Sequence, residues 1–471
     1  MAPISRAGPV WLNGPIVLRD IAGREHMYAH YSVIDPKSSS FQAIERGLAV
    51  FDPQEQIFRR LEVFPEEALF PDGAHPILVS DNTGSFVYFC NPFPLLRVRA
   101  QEEFLRDPTA YESFTPLAQE STLKEPRVER NSAGQVVWGW KKATRFLTPS
   151  ELRRMIGEGK FSSEEAILIL YDVLSGRPVV PHRGSLAWNG YRQAFVMIFT
   201  EIGGTSFLGE VWYAEADSLL GPWAYAQKIV THDRYSFYNP KHHPFFDREG
   251  GRWIYFEGTY TVAFSDAPCP TPFYDYNQIM YRLDLNHPDL VMPVPVYLHT
   301  GEDGSPQLAT RWTLHAFARG NDSPPMHPGG LVRFWAWDRP RENLVPVYAT
   351  KTPSGKWQLA LGNDPLRESA QPVFYVLSTS TPQIGGFDLS AESKDNSEVS
   401  TQRKSLGSKA KLPLMQLVLL SEWQLPDGTF VYHLENEQAP PGGQKIKDLG
   451  FVLPHPYGQI EFRHGQHSNN H

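Results

Sequence analysis

The 471-residue chain sets 44 Lys and Arg against 52 Asp and Glu, a formal charge of −8, with 41% hydrophobic and 20% charged residues. That balance argues against a nucleic-acid or anionic-membrane surface, which requires clustered cations. No apolar run reaches the ~20 residues needed to span a bilayer. Two cysteines, Cys90 and Cys269, exclude a disulfide scaffold and a four-cysteine zinc site. Two free, buried thiols are expected, with a single bridge between them as the alternative. The opening Met1-Ala-Pro-Ile-Ser-Arg lacks the apolar segment of a signal peptide, which leaves a cytosolic protein or one whose signal has been removed. Aromatic residues reach 13%, beside 41 Pro and 36 Gly. Aromatics favour strands and Pro and Gly punctuate turns, so an all-β chain of short strands is expected.

In chain order, four segments repeat one pattern: a turn-like opening, an apolar strand, a polar or Gly turn, then an aromatic-rich strand. They run 13–30, 74–90, 182–200 and 242–257, with a weaker fifth copy from Met326 to Trp337. Third strands follow in several copies (47–51, 209–216, 278–284), and fourth strands over 57–64 and 224–230. Four-stranded units recurring along a chain describe propeller blades; a sandwich is the alternative. Residues 120–175 interrupt the pattern with a short helix from Pro149, N-capped by Ser150, and read as an insertion that either walls a cleft or decorates the surface. From Leu344 two half-repeats, 345–377 and 416–453, suggest a small β module spanning 344–463, after a five-bladed propeller over 10–343. Between them 391–411 is polar, which predicts a mobile loop, and the His-rich tail 464–471 predicts a frayed end.

The stretch Gly209-Glu-Val-Trp-Tyr-Ala-Glu-Ala-Asp-Ser-Leu-Leu-Gly-Pro-Trp223 resembles the blade signature of five-bladed-propeller glycosidases, and Tyr238 to Phe256 is similar to the Asn/Asp-Pro opening of a following blade. The resemblance covers roughly 10–340 and is nearest to relatives of glycoside hydrolase families 43 and 32, in the domain-of-unknown-function branch numbered 4185. It implies a carbohydrate-active, secreted or periplasmic enzyme. The first blade departs from the family pattern, with Asn13-Gly-Pro where an Asp-Pro is usual.

In a propeller the heads of the innermost strands converge on one mouth, so residues there are candidates for chemistry. Four such heads carry His75, His182, His242 and His327, which suggests either a shared channel metal ion or histidines that cap strands. No other cofactor is implied. Glycoside cleavage requires a proton donor and a second carboxylate. Glu210 and Glu257, each flanked by aromatics, form the expected pair, with Asp275 third and Glu201 a further strand-end acid. Arg183 suits a sugar carboxylate or sulfate. Trp188 and Tyr238 are expected sugar platforms, with Asn239, His242 and His30 lining the mouth. No hydrolase elbow, phosphate loop, zincin or dinucleotide motif occurs. The reading is therefore a glycoside hydrolase acting on an oligo- or polysaccharide. The alternatives are a lyase using Arg183, His242 and Tyr238, or a propeller that binds glycan without reacting.

Overall fold

The computed structural model describes residues 8–313, 331–388 and 417–463, apart from positions 21, 39, 82–83, 120, 122–124, 205, 233, 266, 302, 363, 365–370, 381–382, 385–386 and 459. The loop expected over 391–411, the tail 464–471 and His327 lie outside the described residues.

Strands dominate the architecture. The first sheet is a four-stranded meander, β1 (Val10–Arg19), β2 (Glu25–Ile34), β3 (Ala43–Asp52) and β4 (Ile57–Phe64). The second holds β5 (His75–Asp81), β6 (Gly84–Cys90), β7 (Leu96–Arg99), β8 (Glu112–Thr115) and β9 (Val137–Lys142), with a short helix α1 (Glu102–Arg106) between β7 and β8. After α2 (Pro149–Gly157) comes the third sheet: β10 (Leu170–Asp172), β11 (Pro178–Val179), β12 (Pro181–Asn189), β13 (Ala194–Glu201), β14 (Glu210–Ala216) and β15 (Tyr225–Thr231), with β12 at one edge. The fourth is β16 (Ser236–His242), β17 (Trp253–Thr261) and β18 (Asn277–Asp284). First strands pack in succession, β1 on β5, β5 on β12 and β12 on β16, the propeller-like arrangement expected of the repeat.

Burial follows position in that series. Every residue of β13 and β14 is buried, so both faces of the third sheet are covered there, and β13 reads as a nearly continuous apolar run from Ala194 to Phe199. By contrast β18 alternates half-buried with exposed residues. Its inward residues Ile279, Tyr281 and Leu283 join the main core, whereas Met280 is exposed.

Among the described residues the expected fifth copy does not form a separate four-stranded blade. Strands β19 (Val294–Thr300), β20 (Pro306–Ala309) and β21 (Leu331–Ala336) enter one nine-stranded sheet with β22 (Leu344–Lys351), β23 (Trp357–Leu361), β24 (Phe374–Leu377), β27 (Val418–Gln424), β28 (Phe430–Leu434) and β29 (Gln444–Pro454). A separate two-stranded hairpin comprises β25 (Gln383–Ile384) and β26 (Phe387–Asp388). The strand that falls within the expected fifth copy, β21, pairs with β19 on one side and with β29 on the other. The hydrogen bonding thus crosses the expected boundary at 343/344. Finally β30 (Glu461–Arg463) adds to β9 in parallel.

The large sheet docks on the third. Trp335 packs against Tyr225 with ring centroids 5.3 Å apart, and the Tyr225 hydroxyl donates to the Pro454 carbonyl at 2.6 Å. Beside it Arg311, fully buried, contacts Glu215 Oε2 at 2.9 Å and Asp217 Oδ1 at 2.7 Å, while Arg192 Nε donates to Glu215 Oε1 at 2.7 Å. Of the two thiols, Cys90 is buried as expected and Cys269 is exposed, and both are free.

Candidate functional site

Where the first strands begin, backbone geometry clears room for one guanidinium. Gly73 precedes β5 at φ +65°, a left-handed conformation that favours glycine, and a Cβ built there would lie 1.9 Å from Arg183 Nη1. The turn is pinned from the first sheet, since the Gly73 N–H donates to Asn13 Oδ1 at 3.2 Å. On its other side Asn91 Nδ2 donates to the Asp72 carbonyl at 3.1 Å. Arg183, half-buried at the head of β12, has no carboxylate within 4.0 Å among the described residues.

Arg183 and His182 line a cleft of about 460 Å³ between the second and third sheets. Its floor is aromatic, with Phe70, Phe89, Phe93 and Phe146, and Asp72 and Asn91 stand at its polar rim. The insertion forms one wall through Thr148, Pro149 and Ser150. The helix cap is Thr148 rather than Ser150. Its hydroxyl accepts from the Glu151 N–H at 3.2 Å, and Glu151 Oε2 accepts from the Thr148 N–H at 2.9 Å. Pro149 then occupies the first helical position, where a missing N–H is harmless.

Cationic groups gather around the same end of the first strands. Burial lowers the His75 pKa to about 3, and the nearby charges of Lys241, His243 and Arg183 push it the same way. Burial, then Arg183, lowers His182 to about 4. Both imidazoles are therefore neutral at pH 7. Lys241 lies opposite Glu257 in the β16–β17 register, and Glu257 Oε1 sits 3.0 Å from His243 Nε2. Glu257 is 37% exposed, so its carboxylate reaches solvent. Lys241 and His243 thus flank one accessible carboxylate, and both, with Arg183, act on His75. The arrangement is built to receive negative charge.

The expected carboxylate pair does not face itself. Glu210, 1% exposed at the start of β14, packs beside Gly204 and acts electrostatically on His232 and Arg177. Strand alternation explains the separation. On β17, Ile254 and Phe256 turn into the core shared with the third sheet, so Glu257 projects from the opposite face. Glu201 is held by Arg177, whose Nη2 donates to its Oε2 at 2.7 Å. Asp275 stands exposed in the loop before β18, next to Tyr276, whose hydroxyl meets that of Tyr238.

The remaining candidates divide between rim and core. Tyr238 packs against Phe264 and Tyr276, with centroids 5.6 and 5.8 Å away, and Asn239 is exposed at φ 53° in the bulge that separates Tyr238 from Lys241. Both belong to the fourth sheet's rim. His242, 3% exposed, places Nε2 2.9 Å from Asp247 Oδ1, and its backbone N–H donates to Ser185 Oγ at 2.7 Å. It fastens the third sheet to the fourth and does not line the mouth. His30 is core as well: its Nε2 lies 2.7 Å from the Tyr111 hydroxyl amid Phe64, Phe70 and Phe89, and burial lowers its pKa to about 3. Trp188, five residues beyond Arg183 on β12, packs edge-on to Phe195 at 5.2 Å. Among the described residues no three His, Cys, Asp or Glu side chains form a metal-holding group.

Sequence reasoning passed over Lys241, His243, Asp72 and Asn91. The first two were within reach. A bulge at Asn239-Pro240 shifts the alternation of β16 and aligns Lys241 with Glu257. Asp72 and Asn91 occupy turns, where periodicity carries no signal.

No protein-family model matches the chain, and no curated protein matches it. Solved structures resemble it distantly. A Bacteroides ovatus protein shares 12% identity at TM-score 0.35, over 58% of this chain and 60% of its own length. An α-L-arabinanase of Cellvibrio cellulosa shares 11% at TM-score 0.28, over 64% of this chain and 76% of its own. An exo-β-1,3-galactanase of Phanerochaete chrysosporium shares 10% at TM-score 0.28, over 78% and 74%. The chain thus spans less than two thirds of the first of these, and likeness at this level assigns neither activity nor substrate. Among the described residues no helix is long and apolar enough to cross a membrane.

Proposed function

We propose that the chain is a carbohydrate-active enzyme whose substrate is an acidic oligo- or polysaccharide, bound with a sugar carboxylate against Arg183. One observation carries this reading: a guanidinium without a carboxylate partner, set at the head of an inner strand in an aromatic-floored cleft of about 460 Å³. A planar guanidinium takes a carboxylate through two parallel N–H···O bonds, and flat apolar rings take the faces of a sugar. Such a substrate goes with action in the periplasm or outside the cell.

Glu257, the accessible carboxylate beside His243, is the group that would donate a proton to a leaving glycosidic oxygen. Asp72 in the cleft would be the second carboxylate of a hydrolytic pair, in place of Glu210. A second reading, elimination across a uronate, draws on the surplus of cations: Arg183 and Lys241 would neutralise the sugar carboxylate and acidify the adjacent C–H. The neutral His182 beside Arg183 would take that proton, and the bond to the glycosidic oxygen would break as Glu257 protonates that oxygen.

A panel of acidic and neutral polysaccharides, incubated with the enzyme in ¹⁸O-labelled water, tests both. Hydrolysis places label in the new reducing end, whereas elimination yields an unsaturated, ultraviolet-absorbing sugar without label. Turnover of neutral glycans alone would overturn the proposal, as would binding of acidic glycans without any cleavage.

A further inference from the structure

Among the described residues one face of the fourth sheet is only partly covered, with Trp253, Tyr255 and Glu257 half-buried and Arg282, Met280 and Gln278 exposed, and that face continues from Glu257. Alternation along β17 puts Trp253, Tyr255, Glu257 and Thr259 on one side, and the register with β18 adds Arg282 opposite Tyr255, Met280 opposite Glu257 and Gln278 opposite Thr259. Neither Trp253 nor Tyr255 joins the hydrophobic core, although Ile254 and Phe256 between them do. In a complete ring this face would be covered by the next blade. Here the next strands, β19 to β21, leave for the nine-stranded sheet against the third.

Two features of the face match a chain of acidic sugars. Arg282 is exposed and, among the described residues, has no carboxylate within 4.0 Å, and its guanidinium stacks 4.5 Å from the Trp253 ring centre. Lys241, equally without a carboxylate within 4.0 Å among those residues, stands two strands away and two residues along. At about 4.8 Å per strand and about 3.3 Å per residue their backbones are roughly 12 Å apart. A single sugar does not bridge that distance. Between them on the middle strand lie Tyr255, a stacking surface in the row of Arg282, and Glu257, in the row of Lys241. One row beyond Lys241 the amide of Gln278 donates to Thr259 Oγ1 at 2.8 Å and keeps its carbonyl oxygen for a hydroxyl.

We infer that this partly covered face of the fourth sheet is an extended binding strip for the same acidic glycan, so that the substrate is a polymer, with successive carboxylates at Lys241 and Arg282 and a sugar ring on Tyr255. This rests on the proposed acidic-glycan site and adds chain length as the property selected. An acidic polysaccharide, rather than a second copy of the protein, is the occupant because the face is continuous with the proposed site and because of its charges. Lys241 and Arg282, the cations on it without a carboxylate within 4.0 Å among the described residues, carry one sign, whereas its acids Glu257 and Asp284 lie against His243 and Arg252.

Affinity for a size series of oligogalacturonates, from the disaccharide to the polymer, provides the test, with oligomannuronates as a second series. The ratio of polymer to disaccharide affinity is expected to be large in the wild type and to fall on the order of tenfold in Tyr255→Ala/Arg282→Ala, from one lost aromatic contact and one lost surface charge pair. Arg282→Lys, which keeps the charge, is expected to restore part of that ratio. An affinity independent of length in the wild type would overturn the inference, as would an unchanged ratio in the double variant. So would a concentration-dependent dimer, by light scattering, that the double variant abolishes. Arg183→Ala separates the two proposals. If it leaves disaccharide binding intact, the acidic-glycan site itself fails; if it abolishes disaccharide binding while the double variant keeps its ratio, only the strip fails.

Discussion

His30 makes the stability of the fold sensitive to mild acid, by an amount the structure allows to be worked out. Its imidazole is 1% exposed and ringed by aromatic edges, and the surrounding apolar groups disfavour the charged form. The folded pKa is about 3, against 6.5 for a free histidine. The folded state therefore binds fewer protons than the unfolded one between those values, and stability is lost as pH falls from 6.5 towards about 3. At pH 5 the unfolded chain has gained a proton that the folded chain refuses, over about 1.5 pH units at about 1.4 kcal/mol each. Going from pH 7 to pH 5 thus costs roughly 2 kcal/mol from this residue. Chemical denaturation of wild type and His30→Leu at the two pH values isolates the effect. His75, His182 and His455, which burial lowers similarly, contribute alike in both proteins and cancel. The lost contact to Tyr111 lowers the variant by about 1 kcal/mol at either pH, and the Tyr111 hydroxyl keeps its bond to the Leu105 carbonyl at 2.9 Å. The reasoning is refuted if the variant loses as much stability between pH 7 and pH 5 as the wild type does.

Three other outcomes follow from named contacts. Gly73→Ala forces a Cβ into the Arg183 guanidinium and an L side chain into positive φ, so thermal melting should show a loss of roughly 1–2 kcal/mol, and titration a loss of acidic-sugar binding out of proportion to it. Arg311→Leu strips two buried carboxylates of their shared partner, and denaturant unfolding should fall by about 3–5 kcal/mol; a change below 1 kcal/mol would mean that the cluster relaxes. Glu257→Gln should reduce turnover of the acidic substrate by about a hundredfold or more with its melting temperature nearly unchanged, whereas Glu210→Gln, buried away from the mouth, should lower the melting temperature and leave turnover near wild type.

Much of the blade pattern was legible because strand periodicity and turn chemistry are local. The fourth strand expected over 57–64 coincides with β4, and that over 224–230 lies one residue from β15. What the fifth copy does was not legible, since β21 looks like any strand of a blade and its partners β19 and β29 are chosen by tertiary packing against Tyr225. The site divides similarly. Arg183, near the head of β12, and Glu257 are recognisable as charged residues beside apolar runs, although Glu257 proves to be the middle residue of β17 and not its end. The sheet face that each occupies depends on a bulge at Asn239 and on which neighbouring sheet covers Ile254 and Phe256. The same dependence moved His30, inside β2, and His242 into the core: a histidine in a strand reads alike in sequence whether it meets solvent or a ring of phenylalanines.

Recognition of a sugar carboxylate by Arg183 is tested most directly with one oligosaccharide in two forms, the native uronate and the same chain with its carboxyls reduced to alcohols. Calorimetric titration of both into wild type and Arg183→Ala closes a double-mutant cycle. Reduction should weaken wild-type binding by about tenfold or more and the Arg183→Ala protein's much less, leaving a coupling energy of at least about 1 kcal/mol. Equal losses on reduction in both proteins, and hence no coupling, would contradict the account.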